Sequence, residues 1–324
     1  MTFDYNKLSK KPGLFRNFTG FSQNEFDDIY RVIEERNDEF EKERLDRRDR
    51  KRSIGGGRKF KLVLRERFLM PANTKCLWPQ NQRFCGLLVY YRLYITYALV
   101  GFLFDVDQST VWRDIRHLEP LVKECIPIPK KMEDKMRKIG EIDELLKMFP
   151  DMEAFVDATE QEIPRPKDKQ KRKDFYSGKK KRHTIKTQIV NKKNGLIVPI
   201  SKSVEGKKHD YTLFKEQSPP IPQEIERYVD LGYLGIEKDF PELKVKIPYK
   251  KLKGEEISED QKKYNKKLRS KRVVSEHTIG KMKKYGIMGS KFRNRYERYD
   301  TMTSIVGGFV NFRIMNSCTP ILKV

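Results

Sequence analysis

Cysteine is scarce in this chain: four in 324 residues, Cys76, Cys85, Cys125 and Cys318, with no C-x-x-C pair among them. That is too few for a disulfide framework, and a chain of a reducing cytosol is expected. Cys76 and Cys85 lack close His or Cys companions, which argues against zinc. The opening segment, MTFDYNKLSKKPG, has no apolar signal core, so no export is expected. Only one long apolar run occurs, residues 86–106, and Arg92 sits inside it with Tyr90, Tyr91, Tyr94, Thr96 and Tyr97. A central Arg costs roughly 2.5 to 3.5 kcal/mol in a bilayer, so a buried helix pair is expected rather than a membrane span. Gly55-Gly56-Gly57 has no preceding strand and no Gly-Lys-Ser/Thr ending, which excludes a phosphate loop. No aromatic RNP-type string supports RNA binding.

Positive charge is plentiful. Lys and Arg number 70 against 46 Asp and Glu, a net charge of +24 with a pI near 9.7. With 37% hydrophobic and 11% aromatic residues, the chain can still bury a core, and its length suggests two folded units. Residues 1–150 carry +7 and residues 151–324 carry +17, so the second half is where a polyanion should be held. Neither a basic amphipathic helix nor a lipid anchor is found, which favours nucleic acid over an acidic membrane.

The pattern changes character along the chain. Ser22-Gln-Asn-Glu25 is a capping box, and Phe26, Ile29, Tyr30 and Ile33 follow at helical spacing, predicting a helix over 23–44. Residues 1–54 thus form an N-terminal helical region. Residues 55–130 read as a helix-turn-helix region: one helix offers Leu99, Val100, Leu103 and Phe104 to a core, a turn spans 105–107, and a second helix is anchored by Val111, Ile115 and Leu118. Gln108, Ser109, Thr110, Arg113 and Arg116 would face DNA. Residues 71–86, polar and with two prolines, read as an inserted exposed loop. A connecting helix is expected within 131–150. Strands are expected at 182–190 and 196–201 around an Asn-Lys-Lys-Asn-Gly turn, and at 227–230 and 243–249. Ser258-Glu-Asp-Gln261 opens a long helix over 259–284. The fold class expected is mixed α+β / α/β, an all-α helix-turn-helix region followed by a mixed-sheet domain over 151–317 and a tail over 318–324.

Two strands are expected to end in aspartates, Asp157 and Asp230, and the long helix carries Glu276. A carboxylate on a buried strand is costly unless positive charge meets it, and nothing nearby in sequence supplies it for Asp157. Hard oxygen ligands suit Mg²⁺ or Mn²⁺, and carboxylates converging from different elements can hold two such ions for phosphodiester chemistry. Arg272, Glu276 and Lys283 fall at i, i+4 and i+11 on one helix face. Arg272 could pair with Glu276, or both bases could steer a DNA backbone. Lys179-Lys180-Lys181-Arg182 forms a basic turn fit for phosphates.

The strings Asp157-Ala-Thr-Glu160, Arg165-Pro166, Tyr176-Ser-Gly-Lys-Lys-Lys-Arg-His-Thr184, His209-Asp210, Asp230-Leu-Gly-Tyr-Leu-Gly235 and Arg272-Val-Val-Ser-Glu276-His-Thr-Ile-Gly-Lys-Met-Lys283 resemble the DDE transposases of bacterial and archaeal insertion sequences, in the branch related to Harbinger elements. The resemblance runs from about residue 59 to 316. It implies a ribonuclease H-like catalytic domain behind a helix-turn-helix, with Asp157, Asp230 and Glu276 as the three catalytic, metal-binding carboxylates and His209, Asp210, Arg272 and Lys283 supporting them. Arg269 stands where related signatures carry a Tyr. The implied activity is metal-dependent cleavage of double-stranded DNA at element ends and strand transfer into a target, by a homodimer assembled on DNA in a prokaryotic, nucleoid-associated cytoplasmic setting. A catalytically silent, transposase-derived DNA-binding protein is the alternative.

Overall fold

The structure, a computed structural model, describes residues 5–46, 80–131, 151, 153–219, 221–251, 254 and 256–318. Two compact units divide the chain: Met1–Pro127 with Tyr285–Ile287, and Ile128–Lys284 with Met288–Val324.

The first unit is helical: α1 (Tyr5–Ser9), α2 (Pro12–Thr19), α3 (Gln23–Leu45), α4 (Gln80–Leu93), α5 (Tyr97–Phe104) and α6 (Gln108–Cys125). The capping box that predicts α3 forms, with Ser22 Oγ accepting from Glu25 N at 3.3 Å and Glu25 Oε2 accepting from Ser22 N at 2.6 Å. Phe26, Ile29 and Ile33 are buried at helical spacing, and the Phe26 ring meets Phe15 edge-on at 5.4 Å.

Two expectations are corrected here. Residues 71–86 were expected to form an exposed loop, yet Gln80 to Gly86 are already helical, and Cys85 is fully buried beside Leu87, Leu88 and Val89. Residues 71–79 lie outside the described residues. The polar Gln80-Asn-Gln-Arg83 is the entry to a helix whose later turns are buried all round. Leu99, expected in the core, is exposed, because α5 turns Val100, Gly101 and Phe104 inward and eight residues offer only one inward stripe.

The turn between α5 and α6 follows the sequence. Asp105 takes the left-handed conformation at φ 57°, and Asp107 caps α6, accepting from Ser109 N at 2.8 Å. Val111, Ile115 and Leu118 are buried. Tyr91 of α4 donates to Glu119 Oε1 at 2.8 Å, tying α4 to α6. Among the described residues no helix is long and apolar enough to cross a membrane.

The second unit is a mixed sheet with helices. Its strands are β1 (Lys130–Lys131), β2 (Glu153–Glu162), β3 (Tyr176–Ser177), β4 (Arg182–Asn191), β5 (Ile197–Ile200), β6 (Val204–Glu205), β7 (Glu226–Tyr228) and β8 (Val245–Lys246). Its helices are α7 (Lys169–Asp174), α8 (Asp210–Glu216), α9 (Ile236–Asp239), α10 (Glu259–Lys283) and, after the short α11 (Gly286–Gly289), α12 (Tyr299–Cys318). The order is β1-β5-β4-β2-β7-β8, with β3 and β6 also on β4. β4 runs antiparallel to β2 and β5, whereas β7 is parallel to both β2 and β8. This antiparallel-then-parallel sheet carrying helices is consistent with the ribonuclease H-like arrangement that the resemblance implies.

Alternation along β2 sends Ala154 and Val156 into one core with Val190, Phe214, Val229 and Tyr233, and Phe155 into another with Tyr228 and Leu268 of α10. Asp157 shares the parity of Phe155. The capping box Ser258/Gln261 starts α10 as expected. The strand expected over 243–249 shortens to Val245–Lys246. Lys131, expected to begin a connecting helix, pairs instead with Ile200 of β5, and residues 132–150 lie outside the described residues.

Gly101 shows how closely the α5–α6 turn is packed. A Cβ there would stand 2.5 Å from the Val106 carbonyl oxygen, whose own amide donates to Gly101 O at 2.9 Å. Gly101→Ala should therefore destabilise the helix-turn-helix by about 1 to 3 kcal/mol. Thermal unfolding monitored through Trp112 fluorescence checks this, and an unchanged midpoint would contradict the packing.

Candidate active site

Strand register brings two acids together. β2 and β7 are parallel, with Phe155 opposite Tyr228. Carried forward two residues, the register sets Asp230 level with Asp157. Asp157 lies mid-strand, opposite Ile189 of β4, rather than at a strand end as the sequence suggested, because β2 runs on to Glu162. Asp230 follows β7 and caps the turn Leu231–Tyr233, accepting from Gly232 N at 2.8 Å.

The charge that Asp157 needs, which nothing nearby in sequence supplies, comes from the long helix packed on the sheet. Arg272 of α10 places Nη2 4.0 Å from Asp157 Oδ2, and both side chains are largely buried, at 14% and 17% exposure. Arg272 therefore serves Asp157 and makes no ion pair with Glu276 one turn on. The backbone adds one hydrogen bond, from Ala158 N to Asp157 Oδ1 at 2.8 Å. Burial pushes the Asp157 carboxyl up, Arg272 pulls it back, and Asp230 and Asp210 push it up again, to about 6. Tyr233, fully buried, is driven well above the usual tyrosine range by burial and then by Asp210, Asp157 and Asp230 in turn, so its phenol stands among all three acids. Its hydroxyl donates to Gln188 Oε1 at 3.2 Å.

Asp210 enters this group and His209 does not. A Cβ on Gly232 would lie 2.9 Å from Asp230 Oδ1 and 3.1 Å from Asp210 Oδ2, so the two carboxylates flank one glycine. His209 is exposed at the N-cap of α8 and makes no side-chain cap. Glu276 is exposed. Among the described residues, no three His, Cys, Asp or Glu side chains are grouped closely enough to hold a metal ion. Asp157 and Asp230 nevertheless suit a hard divalent cation in kind: two carboxylates set side by side, one of them disfavoured as an anion by the other.

Basic residues border the acids. Lys283 Nζ donates to the Glu160 carbonyl at 3.4 Å. Burial and the nearby Lys180 lower its pKa, while Glu160 and Asp157 raise it, which ties the basic turn 179–182 to the acid cluster. Lys179, Lys180 and Lys181 are exposed, and Lys181 adopts φ 55°. Arg182 is committed elsewhere, donating to Glu162 Oε2 at 2.5 Å, where Lys291 also pairs at 3.2 Å. In the first unit, Gln108 and Ser109 are exposed and Thr110 is half-buried beside them. Arg113 folds back on Ser109, and Arg116 covers the Trp112 ring at 5.5 Å.

Residues 156–311 match the family described as DDE superfamily endonuclease, and residues 75–128 match the helix-turn-helix of DDE superfamily endonuclease. A probable transposase for insertion sequence element IS702 from Microchaete diplosiphon is 31% identical over 271 residues, covering 82% of this chain and 86% of that protein. The chain belongs to the DDE transposase family. No solved structure matches it. The helix-turn-helix match spans the start of α4 as well as α5 and α6. The residues that sequence reasoning missed are Lys186 and Glu160, which pair across β4 and β2; the signal was a single charge in the otherwise uncharged run from Thr184 to Asn191.

The raised Asp157 pKa has a stability consequence. Below the unfolded value near 3.8 both states hold the proton; as pH rises from there to about 6, the unfolded chain releases it first, so stability falls, by about 3 kcal/mol in all. Metal-free protein should accordingly melt lower at pH 7 than at pH 5, and Asp157→Asn should remove that difference. Equal pH dependence in both proteins, by calorimetry in chelator, would refute the assignment.

Proposed function

We propose that this chain is an active transposase that binds the ends of its mobile element, cuts the DNA and joins the freed 3′-hydroxyl to a target. The observation that carries the reading is the levelling of Asp157 and Asp230 on adjacent parallel strand paths, in a chain of the DDE transposase family. Asp157 and Asp230 would hold divalent cations, Mg²⁺ or Mn²⁺ and two in number, and Glu276 would complete the set. Such ions, when bound, supply Lewis-acid polarisation of the scissile phosphodiester.

The chain's own residues do the rest. Arg272 offsets part of the burial that disfavours the Asp157 anion. Lys283 and the turn Lys179–Lys181 hold the DNA backbone beside the acids, so that attack and departure can lie in line. A lysine held at φ 55°, a conformation costing roughly 1 to 2 kcal/mol, supports a role for Lys181 beyond turn formation. Gln108, Ser109 and Thr110 at the capped start of α6 would read base edges, with Arg113 and Arg116 turning from their present partners to phosphates. Two element ends call for two active sites, so a homodimer on DNA is proposed, within the nucleoid of a prokaryotic cytoplasm.

A silent DNA-binding protein is the second reading, favoured by the absence, among the described residues, of any three acids grouped closely enough to hold a metal ion. Cleavage of DNA carrying the flanking ends in Mg²⁺ decides between them. Asp157→Ala, Asp230→Ala and Glu276→Ala should each lower cutting by roughly a thousandfold while leaving end binding intact; wild-type protein that binds ends and never cuts would establish the silent reading. Separately, replacing Lys179, Lys180 and Lys181 by Ala should reduce the slope of log affinity against log salt by roughly 2 to 3. An unchanged slope would remove the turn from the DNA interface.

A further inference from the structure

Lys186 is a deeply buried cation beside the acids, its side chain 6% exposed. It faces Glu160 across the antiparallel register of β4 and β2. Its ammonium lies 2.7 Å from Asp210 Oδ1 and 3.5 Å from Glu160 Oε1, and donates to the Lys208 carbonyl at 2.5 Å. The Lys208 carbonyl takes its hydrogen bond, while Asp210 and Glu160 meet it by charge, Asp210 Oδ1 accepting no hydrogen bond. Glu160 is held in turn, accepting from Thr184 Oγ1 at 2.8 Å, and Gly206 lets the loop before α8 close over Thr184, because a Cβ there would stand 1.9 Å from Thr184 Oγ1. Asp210 is thus fixed from below by Lys186 and abuts Gly232 and Asp230 above.

A third carboxylate at that place would, if left charged and mobile, compete with Asp157 and Asp230 for a cation. From this geometry we infer that Lys186 is a positioning residue for the metal site: it neutralises Asp210 and pins it against the Gly232 turn, so that Asp157 and Asp230 carry the cation-binding charge. The inference rests on the metal-dependent reading above. It also gives Lys186 and Asp210 opposite and compensating effects, since removing the acid leaves excess positive charge beside the site and removing the lysine leaves excess negative charge.

The test is Mn²⁺ binding to the full-length, DNA-free protein, followed by the electron paramagnetic resonance of free Mn²⁺. Asp210→Asn should weaken binding about tenfold. Lys186→Met should tighten it or add a bound equivalent, and the double variant should return to within about threefold of wild type. Lys186→Gln, which keeps a donor without the charge, replaces Lys186→Met if circular dichroism shows that variant unfolded. Weakening by both single changes with no recovery in the double variant would overturn the inference and leave Lys186 a structural residue. Asp157→Asn separates the two readings: if it leaves Mn²⁺ binding unchanged, the metal site itself is wrong, whereas its loss of binding alongside an unrecovered double variant sinks only the role of Lys186.

Discussion

An anionic carboxylate in the middle of a packed sheet is the constraint around which the second unit is organised. Asp157 cannot sit on β2, between strands and under a helix, without positive charge within a few ångströms. Arg272 supplies part of it from α10. The long helix is therefore more than a cover for the core. Its apolar contacts, Leu268 against Phe155 and Tyr228, set its height over the sheet, and that height puts a guanidinium where the acid requires one. Lys271, next in chain, fastens the same turn by pairing with Glu153 and donating to Tyr228 Oη at 2.8 Å.

Neighbouring charges form a graded series around that acid. Asp157 has one arginine, Arg272, and Asp230 makes no ion pair among the described residues, an arrangement that leaves negative charge in surplus. Asp210 has its own lysine, which shares itself with Glu160. Glu162, at the far end of β2, has both Arg182 and Lys291. Glu162 is thus the most fully compensated of these acids and Asp230 the least, and Asp157 and Asp230 are the pair proposed above to hold cations. The basic turn 179–181 sits where the surplus changes sign, as Lys180 acting on Lys283 makes plain. A polyanion held at the turn, as proposed above, would lie beside the acids.

Much of this was legible in the residues alone. The capping boxes at Ser22 and Ser258 announced α3 and α10 because their partners are three residues apart, and local hydrogen bonds do not await the fold. Val111, Ile115 and Leu118 announced the inward face of α6 by spacing. Leu99 misled because an eight-residue helix has too few turns for periodicity to separate an inward leucine from an outward one. Residues 80–86 misled because a polar helix entry looks like a loop until the core against which Cys85 packs is known. Arg272 was read as pairing with Glu276 four residues away or as steering DNA, when its partner stood on β2.

The sequence by itself determined the charge asymmetry, the helical first unit, the strand-then-helix order of the second and the family, since each is written in composition, short-range spacing or strings of adjacent residues. Tertiary structure alone decided which charges meet. Asp157 and Asp230 became neighbours through a parallel pairing across more than seventy residues, Asp210 joined them because Gly232 has no side chain, and Lys186 closed on Asp210 and Glu160 from the adjacent strand. Coulomb energy depends on distance through space, and distance along the chain carries almost none of that information.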